Sequence, residues 1–179
     1  RIYPQKNLFS HILGQTDDAN EGISGIEKFF DKMLVDKKKI NLPLNLTLDS
    51  NLQYLIRQEL AKAKSDFNYI GSAAILMNVE NGEILSLVSL PDYDLNQRVS
   101  ISDNIYANKI TLEVHELGSV FKTFTIAAGL ENKVINPNTI FKNLESKLTC
   151  DKYTITEHDK LPKNLSVEQI LIRSSNIGA

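Results

Sequence analysis

Ala73-Ala74-Ile75-Leu76-Met77-Asn78-Val79-Glu80-Asn81-Gly82-Glu83-Ile84-Leu85-Ser86-Leu87-Val88-Ser89-Leu90 is the stretch from which the fold can be read. Two apolar runs, Ala73 to Val79 and Ile84 to Leu90, flank Asn81-Gly82. Asn and Gly tolerate the positive φ that both central residues of a type I′ turn require, so the stretch predicts an antiparallel hairpin. Neither run alternates cleanly with polar residues, which predicts a sheet covered on both faces. Helical patterns lie on either side of it. Upstream, Leu44 to Leu48 alternates with Asn45 and Thr47 as a strand does. Asp49 and Ser50 then offer helix caps, Ser50 with Gln53 as a capping box, and Leu52, Leu55, Ile56, Leu60 and Ala63 share one face of a helix to about Lys64. Downstream, residues 119 to about 132 place Val120, Phe121, Phe124, Ile126, Ala127, Ala128 and Leu130 nearly all round the helical wheel, as an interior helix does. A last short helix starts at the capping box Ser166 and Gln169 and ends at Arg173.

The N-terminal segment to about Gly22 has little periodicity and reads as extended or loop structure. Ser24 and Glu27 then form a capping box ahead of Ile26, Phe29, Phe30, Met33 and Leu34, an amphipathic stripe. Lys37-Lys38-Lys39, a solvated turn, and Pro43 mark a boundary. The expectation is a small module over residues 1–40 and a main body over 41–179. From Asp92 to His115 the chain is polar and aperiodic, and loops of that length are usually functional or disordered.

Composition excludes several classes. With 42% hydrophobic and 23% charged residues the chain is globular rather than disordered. Twenty Lys plus Arg against 22 Asp plus Glu leave a net charge of -2, too little field to argue for nucleic acid or an anionic membrane. A lone Cys150 allows no internal disulfide, and no His or Cys stands near it at metal-ligand spacing, so neither metal nor cofactor is expected. No run approaches the roughly 18 apolar residues of a membrane helix. The chain starts at Arg1 instead of Met and stops at Ala179 just after a helical pattern, as a piece of a longer protein would.

The chemistry concentrates at Glu116-Leu117-Gly118-Ser119-Val120-Phe121-Lys122. A serine and a lysine three residues apart on a helix project from one face, so Lys122 can reach the Ser119 hydroxyl. Backbone N–H groups at a helix start can stabilise an oxyanion. A lysine serves as base to a serine only if its ammonium form is destabilised, and burial on an apolar helix would do this. Ser174-Ser175-Asn176, after the last helix, adds a hydroxyl that could protonate a leaving amine and an amide that could bind a substrate carbonyl. The order SxxK then SxN is the pattern of penicillin-binding proteins and class A β-lactamases.

Glu116 to Thr125 resembles the nucleophile segment of class B penicillin-binding proteins of the division type, and Arg173-Ser174-Ser175-Asn176-Ile177-Gly178-Ala179 resembles their second motif. Asn78 to Leu85 is similar to the family's first sheet hairpin, and Leu46-Thr47-Leu48-Asp49 with Leu52-Gln53 to the strand and helix before it. Tyr3-Pro4, His11 to Gly14 and Gly22 to Glu27 resemble the preceding non-catalytic module. Leu117 stands where proline is commoner. The resemblance implies an α+β fold: part of a penicillin-binding-protein/serine β-lactamase-like transpeptidase domain, an antiparallel hairpin with buried helices, after the end of a pedestal or dimerisation module.

It also implies a D,D-transpeptidase that cross-links peptidoglycan stem peptides through an acyl-enzyme and is trapped by β-lactams. Ser119 would be nucleophile, Lys122 its base, Ser174 a proton shuttle and Asn176 a substrate ligand. The implied location is the periplasmic face of the bacterial inner membrane, with an N-terminal anchor outside this sequence and division-complex membrane proteins as partners. The family's third motif, Lys-Thr/Ser-Gly, is not among the 179 residues. The chain by itself is therefore expected neither to turn over substrate nor to acylate efficiently, with an open sheet edge and uncovered helix faces. A β-lactamase or β-lactam-sensing domain shares both motifs and stays open as an alternative. So does a non-catalytic division-complex scaffold fragment presenting Phe29, Phe30 and Met33.

Overall fold

The computed structural model describes residues 1–36, 42–97 and 104–179. They divide into two units, 1–114 and 115–179. The expected boundary at 40/41 and the lysine run lie outside the described residues. Mixed helices and strands make both units α+β in content.

In the first unit the hairpin forms as β1 (Ser72–Met77) paired antiparallel with β2 (Ile84–Leu90), Ala74 opposite Val88 and Ile75 opposite Leu87. The turn is not the two-residue type expected. Asn78 N–H donates to Glu83 O at 2.9 Å and Gly82 N–H to Asn78 O at 2.8 Å, closing a longer loop in which Gly82 takes φ 77°. The physical reason is local: the Asn78 and Asn81 side-chain oxygens accept from the N–H groups of Glu80 and Glu83, and these Asx turns outcompete the tighter hairpin. The register shifts between Leu76 and Met77, which face Ser86 and Ile84 and leave Leu85 over on β2. Coverage of the two strands is unequal. The second half of β2 is buried, whereas Ile75, Leu76 and Met77 on β1 remain exposed.

The helix that covers β2 runs over Ser50–Phe67 and ends at Asn68, whose left-handed φ of 45° is a conformation asparagine tolerates. Three short helices precede it, α1 (Ser10–Leu13), α2 (Gly25–Phe29) and α3 (Asp31–Leu34), making it α4 in chain order. Asp49 caps it, accepting from Asn51 and Leu52 N–H, so the expected Ser50 and Gln53 box does not form. Gln53 is 1% exposed and holds the unit together instead. Its Nε2 donates to Leu8 O and Leu87 O, and its Oε1 accepts from Ser86 Oγ and Leu87 N–H. One turn further on, Arg57 pairs with Asp92. The stretch 44–48 is not a strand. Among the described residues, Thr47 Oγ1 to Ile84 O ties it to β2, followed just beyond it by Asp49 N–H to Leu85 O, too few bonds for a ladder.

The Ser24 and Glu27 box is likewise absent, because Ser24 Oγ accepts from Gln15 N–H and Glu27 accepts from Tyr3 and pairs with Arg1. The expected single helix breaks at Phe30 into α2 and α3, and α1 forms within the segment read as a loop. Gly25 is obligatory at its position: φ is +57°, and a Cβ would lie 2.5 Å from Ile12 O. Tyr93, from the long irregular passage, is buried with its ring edge-on to His11 and Tyr106.

In the second unit, a 3-10 turn at Gly118–Phe121 leads into α5 (Lys122–Glu131). The strands β3 (Ile140–Phe141) and β6 (Leu165–Ser166) pair, as do β4 (Lys147–Cys150) and β5 (Tyr153–Thr156). The helix α6 (Val167–Ile172) keeps the full capping box at Ser166 and Gln169. Ile126, Leu165, Val167 and Ile170 form the core, and Ile170, fully buried, contributes roughly 1.5–3 kcal/mol. The interior helix read over 119 to about 132 is corrected on two counts. Its first turn is 3-10, and among α5 residues Ile126 alone is buried, Phe124 being 60% exposed with Phe121 exposed beside it, because the core of this unit packs against one face of the helix.

Candidate active site

The site grows from the end of α6. Ser174 N–H donates to Leu171 O and Ser175 N–H to Ile170 O, closing the helix in the manner that normally uses glycine in a left-handed conformation. Here the left-handed residue is Ser174, φ 53°. A serine in that region costs on the order of 1 kcal/mol, and such strain is typical of functional positions. The turn reverses the chain so that residues 174 and 176 face α5.

Lys122, half-buried at the start of α5, meets them. Its Nζ donates to Ser174 O at 2.6 Å, to Ser174 Oγ at 3.0 Å and to Asn176 Oδ1 at 2.6 Å. An ammonium has three protons, and each has an acceptor here. Asn176 Nδ2 donates to Thr156 O at 2.8 Å, so that oxygen fixes which face of the amide turns to the lysine. Three of the four residues singled out from sequence, separated by up to 54 positions, are thus one hydrogen-bonded cluster.

Ser119 lies on the 3-10 turn ahead of α5, exposed, and its hydroxyl has no hydrogen-bond partner among the described residues. Lys122 follows that turn as the first residue of α5, and its Nζ bonds go to Ser174 and Asn176 rather than to the Ser119 hydroxyl. Gly118 before it adopts φ 55° in open space. The environment of the lysine differs from the expectation. Val120, Phe121 and Phe124 around it are exposed, so its surroundings are defined by oxygen acceptors and not by apolar burial.

One residue escaped the sequence reading. Glu157, just past β5, accepts from Ser175 Oγ at 2.5 Å and Ile177 N–H at 3.0 Å through Oε1, and from Asn176 N–H at 2.8 Å through Oε2. Partial burial would raise its carboxyl pKa. The hydrogen bonds from Ser175, Asn176 and Ile177, aided by the nearby Lys122 charge, outweigh burial and bring the pKa below the ordinary value. The strand-like alternation of Tyr153-Thr154-Ile155-Thr156 was the only local signal, and nothing in it points to a partner some 20 residues away. Cys150 is exposed, and no cluster of metal ligands occurs among the described residues.

Residues 72–179 match the family model described as the penicillin binding protein transpeptidase domain. The chain is 32% identical to the peptidoglycan D,D-transpeptidase FtsI of Buchnera aphidicola over 99% of its length and 34% of that protein. It is 32% identical to the stage V sporulation protein D of Bacillus subtilis over 76% of its length and 25% of that protein. It spans about a third of the curated relatives it matches. Among solved structures, penicillin binding protein 3 of Mycobacterium tuberculosis superposes with a TM-score of 0.84 at 21% identity, covering 99% of this chain and 42% of that one, a likeness of fold. The transpeptidase domain of Burkholderia pseudomallei penicillin-binding protein 3 gives 0.61 at 30% identity, covering 74% and 35%.

Proposed function

The chain belongs to the penicillin-binding protein transpeptidase family, with residues 72–179 in its transpeptidase domain, and from that premise we propose that the whole protein is a peptidoglycan D,D-transpeptidase with Ser119 as its acylated nucleophile. The observation that supports this reading is the three-acceptor cage around Lys122 Nζ.

Of those acceptors, only Ser174 Oγ also bears a proton, and its bond to Nζ, at 3.0 Å, is the longest of the three. When Lys122 is neutral, its two remaining N–H groups can stay on Ser174 O and Asn176 Oδ1 while the lone pair is available to a hydroxyl. Ser119 Oγ then attacks the carbonyl of a stem-peptide donor as its proton passes to Nζ. The tetrahedral adduct collapses, the carbonyl–nitrogen bond breaks, and the leaving amine takes a proton from Ser174 Oγ, which is replenished from Nζ. An acceptor strand's amine displaces the serine ester by the reverse route. Asn176, oriented by Thr156 O, holds the lysine and orients the substrate carbonyl.

On this reading the partners are stem peptides, β-lactams that acylate the same serine, and division-complex membrane proteins, at the periplasmic face of the inner membrane. No helix among the described residues is long and apolar enough to cross a membrane. The residue ranges of the notional modules, 1–40 and 41–179, remain part of the same proposal. Incubating the whole protein with a fluorescent penicillin tests it: one covalent label per molecule at Ser119, absent from Ser119→Ala, is expected. Label elsewhere, or rapid release over many turnovers, refutes it. The 179-residue chain alone, lacking a Lys-Thr/Ser-Gly triplet, is expected to label poorly.

A further inference from the structure

We propose that Glu157 is a positioning residue of this site, clamping the loop 175–177 so that the Asn176 amide presents Oδ1 to Lys122; the inference rests on the catalytic reading of Ser119 and Lys122 above. An asparagine side chain has two orientations of nearly equal shape, and the wrong one would turn an NH2 group toward the lysine ammonium. Residue 176 is held against this at two points. Its backbone N–H is bound by Glu157 Oε2 and its Nδ2 by Thr156 O, consecutive residues at the end of β5. A flipped amide would bring two oxygens together at Thr156 and two donors together at Lys122.

A carboxylate suits the clamp because the N–H groups of Asn176 and Ile177 can only donate. Oε1 serves Ile177 N–H together with Ser175 Oγ, and Oε2 serves Asn176 N–H. A glutamine in the same place must turn its NH2 toward one of these N–H groups in either orientation. Ser175 acts as a strut within the clamp. It is fully buried, donating to Glu157 and accepting from Gly178 N–H at 2.9 Å. Among the described residues Glu157 forms no ion pair with Lys122; its direct hydrogen bonds go to the loop that carries Asn176, beside a longer-range attraction to the lysine charge.

The test compares Glu157→Gln, Asn176→Ala and the double variant of the whole protein in two readouts. One is the second-order rate of Ser119 labelling by fluorescent penicillin, and the other is amide hydrogen exchange at Asn176 and Ile177. Glu157→Gln is expected to slow labelling roughly tenfold to a hundredfold, the effect of losing hydrogen bonds to a charged group. It should also accelerate exchange at both amides, and the double variant should label no more than about twofold slower than Asn176→Ala alone. Leu165→Val, a change in the core of the same unit, controls for general destabilisation and should leave the labelling rate within about twofold while lowering the melting temperature. Labelling by Glu157→Gln at the parent rate, or effects of the two substitutions that multiply, would overturn the clamp. If the parent protein does not label at all, the transpeptidase reading fails separately. Exchange at Asn176 and Ile177 then decides the clamp, and unchanged protection in Glu157→Gln overturns it.

Discussion

Replacing Gln53 with leucine should cost more than any single surface change in the first unit. The side chain makes four hydrogen bonds, to Leu8 O, Leu87 O, Ser86 Oγ and Leu87 N–H, at 2.7 to 2.9 Å and 1% exposure. At about 1 kcal/mol net for each bond, their loss amounts to roughly 4 kcal/mol. Leucine has a similar volume and regains about 1 kcal/mol of apolar burial, leaving a destabilisation of about 3 kcal/mol. For a chain of this size that corresponds to a fall in melting temperature of roughly 6–12 °C. Urea titration read through hydrogen exchange at β2 amides, Leu87 in particular, reports on the elements that Gln53 joins. Ser86→Ala alone removes one bond while Oε1 keeps Leu87 N–H, and should cost about 1 kcal/mol. Combined with Gln53→Leu it should add less than that, since the partner is already gone. A loss below about 1 kcal/mol for Gln53→Leu would refute the view that this side chain fastens the N-terminal segment and α4 to β2.

Lys122→Met should cut penicillin labelling of the whole protein by about a hundredfold or more without unfolding it, measured against its circular dichroism, because it removes the base and keeps the stem. His11 is buried, and burial, only partly countered by its bond to Ile105 O and by Asp92, holds its pKa below the usual imidazole value. Its stabilising contribution is present above about pH 6.5 and is lost as pH falls through the depressed folded value, so acid should destabilise the first unit, and His11→Phe should flatten that dependence in denaturation curves. Glu157 behaves similarly at lower pH. With its folded pKa lowered by the loop hydrogen bonds despite burial, the stability lost in Glu157→Gln should be fully present at about pH 7 and vanish as acid protonates the carboxylate. Gly25→Ala should destabilise by about 2 kcal/mol or more, as both its φ of +57° and the approach of Ile12 O oppose a Cβ, and thermal melting checks it.

Local signals read well where the partners were local. The hairpin and the Ser166 capping box depend on neighbours within a few residues, and both are present. Capping boxes at Ser24 and Ser50 failed for the opposite reason. Gln15 N–H claimed Ser24 Oγ, and the tertiary contacts to Leu8, Ser86 and Leu87 claimed Gln53, each a donor or acceptor from elsewhere in the chain that the spacing rule cannot see. Asp49, one residue earlier than the box, was an equally good cap by composition, and only the path of the chain beside β2 chose it.

The candidate site divides along the same line. The sequence by itself determined that a serine and a lysine one turn apart precede a second motif of serine and asparagine, since order and spacing are covalent facts. Only the tertiary structure decided that Lys122 spends its three protons on Ser174 and Asn176, that Thr156 orients the amide, and that Glu157 grips the loop, because those contacts close across 18 to 54 residues. Hydrogen bonds of that reach depend on the folding of α5, β5 and α6, and no local pattern encodes which carboxylate will stand at the end of which strand.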